Sequence, residues 1–244
     1  IRFIATPHTI EIKKGSYFVN TSATNINQST HINITLNEFS CTNSISNDLV
    51  LGSNLTGNGG CFTFDAGNIT IDGNGYLITG NGSGNGFFFN NSQQVVIKNL
   101  TLMNFTAAIN LDNTNNSIFE QITLVNNTKG IVFNNSDNNT VRDSYFSNNT
   151  NSSVYATNAG GTSNYLINVS INATNISVEG TAGVYLQWYV DVNTTFSSVN
   201  DPTSDLALGN ANASGIFNSS SLVDDTELTS STGISRLELT ELEV

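Results

Sequence analysis

The chain has 244 residues, with 7 Lys and Arg against 19 Asp and Glu, and a formal net charge of -12. Such a chain lacks the basic surface that nucleic acid or an anionic membrane would require, so neither is expected as a partner. No apolar run approaches the roughly 18 residues that a membrane-spanning helix needs, so no membrane span is predicted in this segment. The length fits one large domain, or one domain with a smaller neighbour.

Residues 1–37 alternate apolar and polar residues in "HTIEIKKGSYFV" and "HINITL", a pattern typical of strands. The first residues contain no initiator Met, no apolar leader core and no cleavage site, so either a signal has been removed or residue 1 lies inside a longer chain. We predict that these strands cap the open end of the structure that follows. The alternative is that they end a preceding domain.

Cys41 and Cys61 are the only cysteines, and they lie in a segment rich in Asn, Ser, Thr and Gly. With two His and no CxxC spacing in the chain, neither a metal site nor a cofactor is expected. We predict a disulfide between the two cysteines, and two buried free thiols are the alternative. A disulfide would suit an oxidising, extracellular compartment.

From residue 87 onwards, apolar segments recur at intervals of about 22 residues. Each repeat holds three short segments with strand-like alternation, and no window shows helical spacing. One repeat cannot bury its apolar side alone, whereas stacked coils bury it at the strand spacing of about 4.8 Å. The pattern therefore predicts a solenoid of parallel strands, with columns of equivalent residues. These columns are Phe87, Ile109, Ile131 and Val154; Ile97, Phe119, Val141 and Leu166; and Leu102, Leu124, Phe146 and Ile171.

Asparagine recurs where these segments end. Asn is the non-glycine residue that best tolerates a left-handed backbone, and its amide can bond the same amide on the next coil. We therefore predict ladders of stacked amides at the corners. The predicted ladder residues are Asn91, Asn113, Asn135 and Asn158 after the first strand of each coil, and Asn104, Asn126 and Asn148 after the third.

The segment "LVLGSNLTGNGGCFTFDAGNITIDGNGYLITG", followed by "VVIKNLTLMNFTAAINL" and its successors, resembles the right-handed parallel β-helix repeats of pectate-lyase-like architecture. It is most similar to the NosD-like repeats of many archaeal cell-surface glycoproteins. The resemblance covers roughly residues 38 to 180, and it is specific for fold but weak for activity. It implies that a short strand such as Leu49 to Leu51 and a cysteine pair close the first coil, and Cys41 and Cys61 match that pattern.

After about residue 182 the repeat is lost, and the chain reads "GVYLQWYV", then "NDPTSD", then "SRLELTEL". This segment resembles the small transthyretin-like or carboxypeptidase-regulatory-like β-sandwich that often follows such β-helices. The alternative is a set of strands that cap the helix. The predicted organisation is an N-terminal cap at 1–37, a parallel β-helix at 38–182, and a β-sandwich-like domain or cap at 183–244.

Charged residues share one outward position of the second strand in successive coils, with alternating sign. Opposite charges on neighbouring strands attract by roughly 0.2 to 1 kcal/mol per pair, so we predict a ladder of salt bridges rather than a catalytic row. Among neighbouring coils, the closest approach to a hydrolase carboxylate pair is Asp112 with Asp137, and both are expected to be turn residues. No catalytic residue is predicted. The charged column is Asp72, Lys98, Glu120 and Arg142.

The chain holds about 21 Asn-x-Ser/Thr triplets, where its composition alone would give roughly nine or ten. This excess favours N-glycans as covalent partners. Because a buried ladder amide cannot carry a sugar, Asn134 and Asn138 are predicted to be better acceptors than Asn126 and Asn148. The candidate acceptors are Asn20, Asn27, Asn33, Asn54, Asn68, Asn81, Asn90, Asn115, Asn134, Asn138, Asn151, Asn172, Asn175, Asn193, Asn212 and Asn218.

These features predict a non-enzymatic, extracellular structural glycoprotein at the cell surface. It would be a rigid spacer in a surface layer, adhesin or filament that associates through its ends with its own copies or with neighbouring subunits. Two alternatives remain at this stage. One is a β-helix that binds or processes polysaccharides, and the other is a fragment whose binding site lies elsewhere in a longer chain.

Overall fold

The computed structural model describes residues 44–193 without a break, together with Cys41 and the segments 17–18, 37–38, 195–198, 201–207, 212–216, 223–228 and 234–243. A short 3-10 helix, Ala173–Asn175, precedes one of the longest strands. The strands are β1 (Tyr17–Phe18), β2 (Asn37–Glu38), β3 (Ser44–Ile45), β4 (Leu49–Val50), β5 (Leu55–Thr56), β6 (Phe62–Phe64), β7 (Thr70–Asp72), β8 (Leu77–Thr79), β9 (Asn85–Asn90), β10 (Val96–Met103), β11 (Ala107–Asp112), β12 (Ile118–Val125), β13 (Lys129–Asn134), β14 (Thr140–Arg142), β15 (Tyr145–Ser147), β16 (Ser152–Ile167), β17 (Ile176–Asn193), β18 (Thr195–Ser198), β19 (Asp201–Ala207), β20 (Asn212–Ile216), β21 (Val223–Leu228) and β22 (Ile234–Glu243).

Most of these strands stack into a parallel β-solenoid of about six turns with three faces. Face A contains β3, β6, β9, β11, β13 and the first parts of β16 and β17. Face B contains β4, β7, β14, the first parts of β10 and β12, and the later parts of β16 and β17. Face C contains β5, β8, β15 and the later parts of β10 and β12. The pairing on all three faces is parallel, which confirms the prediction of an all-β parallel β-helix.

The strand register reproduces the columns that the sequence predicts. Hydrogen bonds between successive coils join residues 22 positions apart, for example from the Val95 amide to the Ser117 hydroxyl. Because side chains alternate along a strand, this register places every apolar column on the same inner side. The partner residues are Phe87, Ile109, Ile131 and Val154 on face A, Ile97, Phe119, Val141 and Leu166 on face B, and Leu102, Leu124 and Phe146 on face C.

The inward side chains of successive coils form one continuous core. Phenylalanines dominate its N-terminal half, where Phe64 and Phe89 stack with ring centroids 4.3 Å apart. Phe87 meets Phe64 edge to face at 5.4 Å. Stacked and edge-to-face arrangements are the favourable geometries of aromatic pairs, so the rings interlock between coils. This core supplies the burial that a single coil lacks.

In four successive coils, a left-handed residue turns the chain from face B to face C. The residues at this corner are Asn99, Gln121, Asp143 and Asn168, with φ between 51° and 57°. A single left-handed residue turns the chain without ending the strand, which is why β10 and β12 each serve two faces. The coil below has Gly73 beneath Asn99, where a Cβ atom would collide with the Asn99 carbonyl oxygen.

The structure describes two short strands in the N-terminal region. Strand β1 pairs antiparallel with β2, so that Tyr17 lies opposite Glu38. The remainder of the strands predicted in residues 1–37 lies outside the described residues. Their proposed role as a cap stays a prediction.

The last coil passes directly into the C-terminal strands. Strand β17 pairs in parallel with β16 as far as Gln187, beyond residue 182, where the β-helix was predicted to end. From Tyr185 to Asn193, β17 also pairs with β22, this time antiparallel. Strands β18 and β19 form an antiparallel pair, and so do β20 and β21. The division of the chain into separate domains stays a prediction.

Candidate functional site

Buried amides at the corner between faces C and A join the coils to one another. The Asn127 Oδ1 atom accepts a hydrogen bond from the Phe105 amide at 3.0 Å, and Asn149 Oδ1 accepts one from the Asn127 amide at 3.1 Å. The Asn127 Nδ2 group donates to the carbonyls of Leu102 and Val125. At a corner, the backbone amide turns away from the next coil's carbonyl, so a side-chain oxygen takes the carbonyl's place. We call this the inner ladder.

An equivalent column lies at the end of the corner between faces A and B. The Ser117 hydroxyl accepts from the Val95 amide at 3.1 Å, and Asn139 Oδ1 accepts from the Ser117 amide at 3.0 Å. Asn164 continues the column, because its Oδ1 accepts from the Asn139 amide at 3.2 Å. These polar side chains are fully buried. Each therefore satisfies a donor that would otherwise lose its hydrogen bond to water on folding.

The predicted asparagine ladder is correct in its backbone and wrong in its side chains. Six of the seven residues are left-handed, with φ between 46° and 61°: Asn91, Asn104, Asn113, Asn126, Asn135 and Asn148. Their side chains are exposed or half-buried, and the Asn91 amide donates to Asn90 of its own coil. The buried ladder lies one residue later, at Asn127 and Asn149. A left-handed residue turns its side chain out of the corner and the next one inward.

Asn158, the seventh predicted ladder residue, lies within β16, where it pairs with Gly180. The buried residue of that corner is Asn164. The sequence signal for the inner ladder was the second asparagine of the pairs Asn126-Asn127 and Asn148-Asn149, which repeats with the same period as the first.

The charged column on face B forms the ion pairs predicted from its alternating sign. Lys98 Nζ lies 3.6 Å from an Asp72 oxygen, and Arg142 Nε donates to Glu120 at 2.9 Å. The hydrogen bond to Glu120 raises the pKa of Arg142 above its ordinary value. Register places these four residues on adjacent strands. Both pairs are partly exposed, so each contributes only about 0 to 1 kcal/mol.

A second polar cluster lies on the outside of face A, and the sequence did not predict it. The Lys129 ammonium sits 3.6 Å from the centre of the Tyr155 ring, and the Tyr155 hydroxyl donates to Glu179 at 2.7 Å. The hydrogen bond to Glu179 raises the pKa of the Tyr155 phenol. A raised pKa opposes ionisation of this hydroxyl. The three residues come from three successive strands of the face.

The two aspartates considered for hydrolysis serve different turns. Asp112 accepts from the Asn134 amide group, and Asp137 accepts from the backbone amide of Ser163. The Asp72 carboxylate accepts from the Asn74 backbone amide, and Asn74 is left-handed at this tight corner. Within the described residues, no group of three or more His, Cys, Asp or Glu side chains could hold a metal ion.

Cys41 and Cys61 form a disulfide, as predicted. Cys61 directly precedes β6, and Cys41 lies just before β3, so the bond ties the start of the first coil to the second. The short strand β4 (Leu49–Val50) matches the strand expected in that first coil. Both cysteines are buried against the core.

The candidate glycan acceptors occupy different environments. Asn20, Asn27, Asn33 and Asn218 lie outside the described residues, and Asn193 and Asn212 are described at their backbone only. Asn115, Asn134 and Asn175 are half-buried. Whether any of them carries a glycan stays a prediction. The exposed candidates are Asn54, Asn68, Asn81, Asn90, Asn138, Asn151 and Asn172.

Fold and surface together define a parallel β-solenoid with asparagine-lined corners and outward charges held in pairs. In comparisons of sequence and of structure, no family model, curated protein or solved structure matches the chain. None of the residues that the structure describes belongs to a helix with the length and apolar character needed to cross a membrane.

Proposed function

We propose that this chain is a structural module of an extracellular glycoprotein, a rigid rod within a surface layer, adhesin or filament. The observation that carries the proposal is the continuity of its coil-to-coil bonding. Strand ladders cover the three faces, and side-chain oxygens complete the ladders at the corners. Each added coil therefore extends the rod without a break in its core or its hydrogen bonds.

The proposed extracellular location is supported by the disulfide and by the excess of sequons. Disulfides persist mainly in oxidising compartments, and Cys41 and Cys61 are the only cysteines in the chain. Many sequon asparagines are exposed at corners, where a sugar would project into solvent. The resemblance to NosD-like surface proteins points in the same direction.

Two measurements on the native source test this proposal. Brief protease treatment of intact cells should release peptides of the coil region, and the intact mass should fall on chemical deglycosylation. A protein that stays protected until the cells are lysed, with a single unmodified mass, would contradict the proposal. If the rods associate through their ends, sedimentation at high concentration should show assemblies. A protein that stays monomeric at high concentration, with no ordered array containing it on the cell surface, would contradict the proposed association.

The second candidate is a protein that binds or processes polysaccharides. The cluster of Lys129, Tyr155 and Glu179 favours it, because aromatic rings beside charged groups are common in sugar sites. Incubation with polyuronates and neutral glycans tests it through the release of unsaturated or reducing ends. Activity that the Glu179→Gln variant loses, and that the Glu238→Gln variant keeps, would favour this candidate over the structural one.

A further inference from the structure

Three sequons lie directly above one another at the corner between faces C and A. They are Asn104-Phe105-Thr106, Asn126-Asn127-Thr128 and Asn148-Asn149-Thr150. In each, the asparagine is left-handed and the middle residue is buried, while the threonine is exposed. Each coil therefore presents its asparagine and its threonine on the same outer corner. We call these three sequons the corner column.

The asparagines of the corner column have unengaged side chains. Within the described residues, no hydrogen bond involves the side-chain amides of Asn104, Asn126 or Asn148. The two asparagines that the sequence favoured as acceptors are engaged: Asn134 donates to Asp112, and Asn138 donates to Asn116. Attachment of a glycan replaces one of the two hydrogens on Nδ2, so an amide that already donates one of them has only the other available, in a direction that its hydrogen bond fixes.

The hydroxyl groups of the sequons differ in the same way. Thr128 and Thr150 are exposed. Ser136, which belongs to the Asn134 sequon, is buried: it accepts from the Thr114 amide and donates to the Asn134 carbonyl. Enzymatic transfer reads the hydroxyl together with the asparagine, so an exposed hydroxyl makes a sequon accessible after folding as well as before it.

A polar groove runs along the corner column. It has a volume of about 380 Å³, and its lining includes Asn81, Asn104, Asn126, Thr128 and Thr150. The groove is an open surface feature, so a first sugar attached at this corner has room beside the chain. The glycan would cover the groove and hold the outer end of the corner away from neighbouring molecules.

Coil spacing limits how many sugars the corner column can hold. Adjacent coils are separated by the strand spacing of about 4.8 Å, and alternate coils by about 9.6 Å. A pyranose ring with its hydroxyl groups is wider than one strand spacing, so sugars on adjacent coils collide. Sugars on alternate coils fit.

Together these observations carry a specific assignment. We propose that the corner column is a principal N-glycan attachment site and that its occupancy alternates, with glycans at Asn104 and Asn148 together or at Asn126 alone. The inference rests on the proposed function, because it requires that the protein meets a glycosylating system. It also reverses the expectation that Asn134 and Asn138 are better acceptors than Asn126 and Asn148.

Site-resolved glycopeptide mass spectrometry of the folded protein, secreted from a glycosylating host, tests the assignment. Cleavage after Glu120 and Glu179 releases one peptide, 121–179, that carries both Asn126 and Asn148. We expect the two sites to be occupied in different molecules. Joint occupancy at the frequency expected for independent sites would overturn alternation.

Substitutions in the sequons test whether a glycan at Asn126 excludes a glycan at Asn148. Asn126→Gln should raise occupancy at Asn148, because it leaves only one of the two arrangements; the rise is about twofold when the two are equally populated in the parent protein. Thr128→Ala removes the same sequon while it keeps the left-handed asparagine, so it should give the same rise in occupancy at Asn148. It replaces Asn126→Gln in the test if that variant folds poorly. Asn138→Gln, which removes a sequon at a different corner, is the matched control and should leave Asn148 unchanged.

The outcomes separate this inference from the proposed function. Glycans found at other corners, with the corner column empty, would overturn the inference and leave the glycoprotein proposal in place. A protein without a glycan at any sequon would overturn both.

Discussion

We predict how much folding stability is lost when Asn127, a residue of the inner ladder, loses its side-chain amide. This side chain is 1% exposed, and it bonds the Phe105 amide and the carbonyls of Leu102 and Val125. Asn127→Ala removes all of these bonds and leaves the backbone in place. The sequon of Asn126 is retained, because its middle residue can be any residue except proline.

The size of the effect follows from the groups left unpaired. A buried amide without an acceptor costs about 1–3 kcal/mol, and each lost hydrogen bond to a carbonyl removes about 0.5–1.5 kcal/mol. A carbonyl oxygen has two lone pairs and can accept from another donor, so we take the low end for the two carbonyls. We expect Asn127→Ala to lower the free energy of unfolding by about 2–4 kcal/mol, a large fraction of a typical domain's stability.

Urea unfolding of the unglycosylated protein, followed by circular dichroism, measures this change as a shift in midpoint at constant slope. Asn151→Ala is the matched control, since Asn151 is exposed near the same corner and its side chain makes no hydrogen bond within the described residues. The control should change stability by less than about 0.5 kcal/mol. Equal effects of the two substitutions would refute the ladder as a source of stability.

Three further predictions concern the disulfide and the ion pairs. Cys41→Ala opens a loop with a sequence separation of 20, which should lower the free energy of unfolding by roughly 3 kcal/mol; an unchanged melting temperature would contradict this. A double-mutant cycle of Glu120→Ala and Arg142→Ala should give a coupling free energy below about 1 kcal/mol, because the Arg142 side chain is 42% exposed. This coupling should shrink in high salt, and a larger, salt-insensitive coupling would argue against a surface ion pair. The hydrogen bonds from Arg236 lower the pKa of Asp191 below its ordinary value. The stability linked to Asp191 is therefore present at a pH above that ordinary pKa, and it is lost as the pH falls through the depressed pKa. NMR titration of the Asp191 carboxyl should show its pKa rising in Arg236→Ala, and no change would refute the pairing.

Much of the fold follows from two periods in the sequence. Side-chain alternation assigns each apolar residue to the inner side, and the repeat of about 22 residues assigns its partner one coil away. These two periods predict that Phe119 lies between Ile97 and Val141, and that Arg142 lies beside Glu120, as the structure has them. The disulfide was predicted from composition, because the chain contains two cysteines and no spacing typical of a metal site.

The corners were predicted less completely, because the alternation of side chains along a strand does not continue through them. Asn126 and Asn127 are chemically identical in sequence, and both repeat one coil later at Asn148 and Asn149. Which of the two faces inward depends on the one that takes the left-handed backbone, and a pair of equal residues carries no signal for this. The ladder was therefore placed one residue early.

By itself, the sequence determined the coil, its period and the partners along each face, because local alternation and repetition act on every coil alike. Tertiary structure alone decided which corner amide enters the core and how Lys129, Tyr155 and Glu179 meet on face A. The contacts on face A join residues on different coils at positions that the repeat does not make equivalent. Their geometry depends on the path of the chain between strands, which no short sequence pattern specifies.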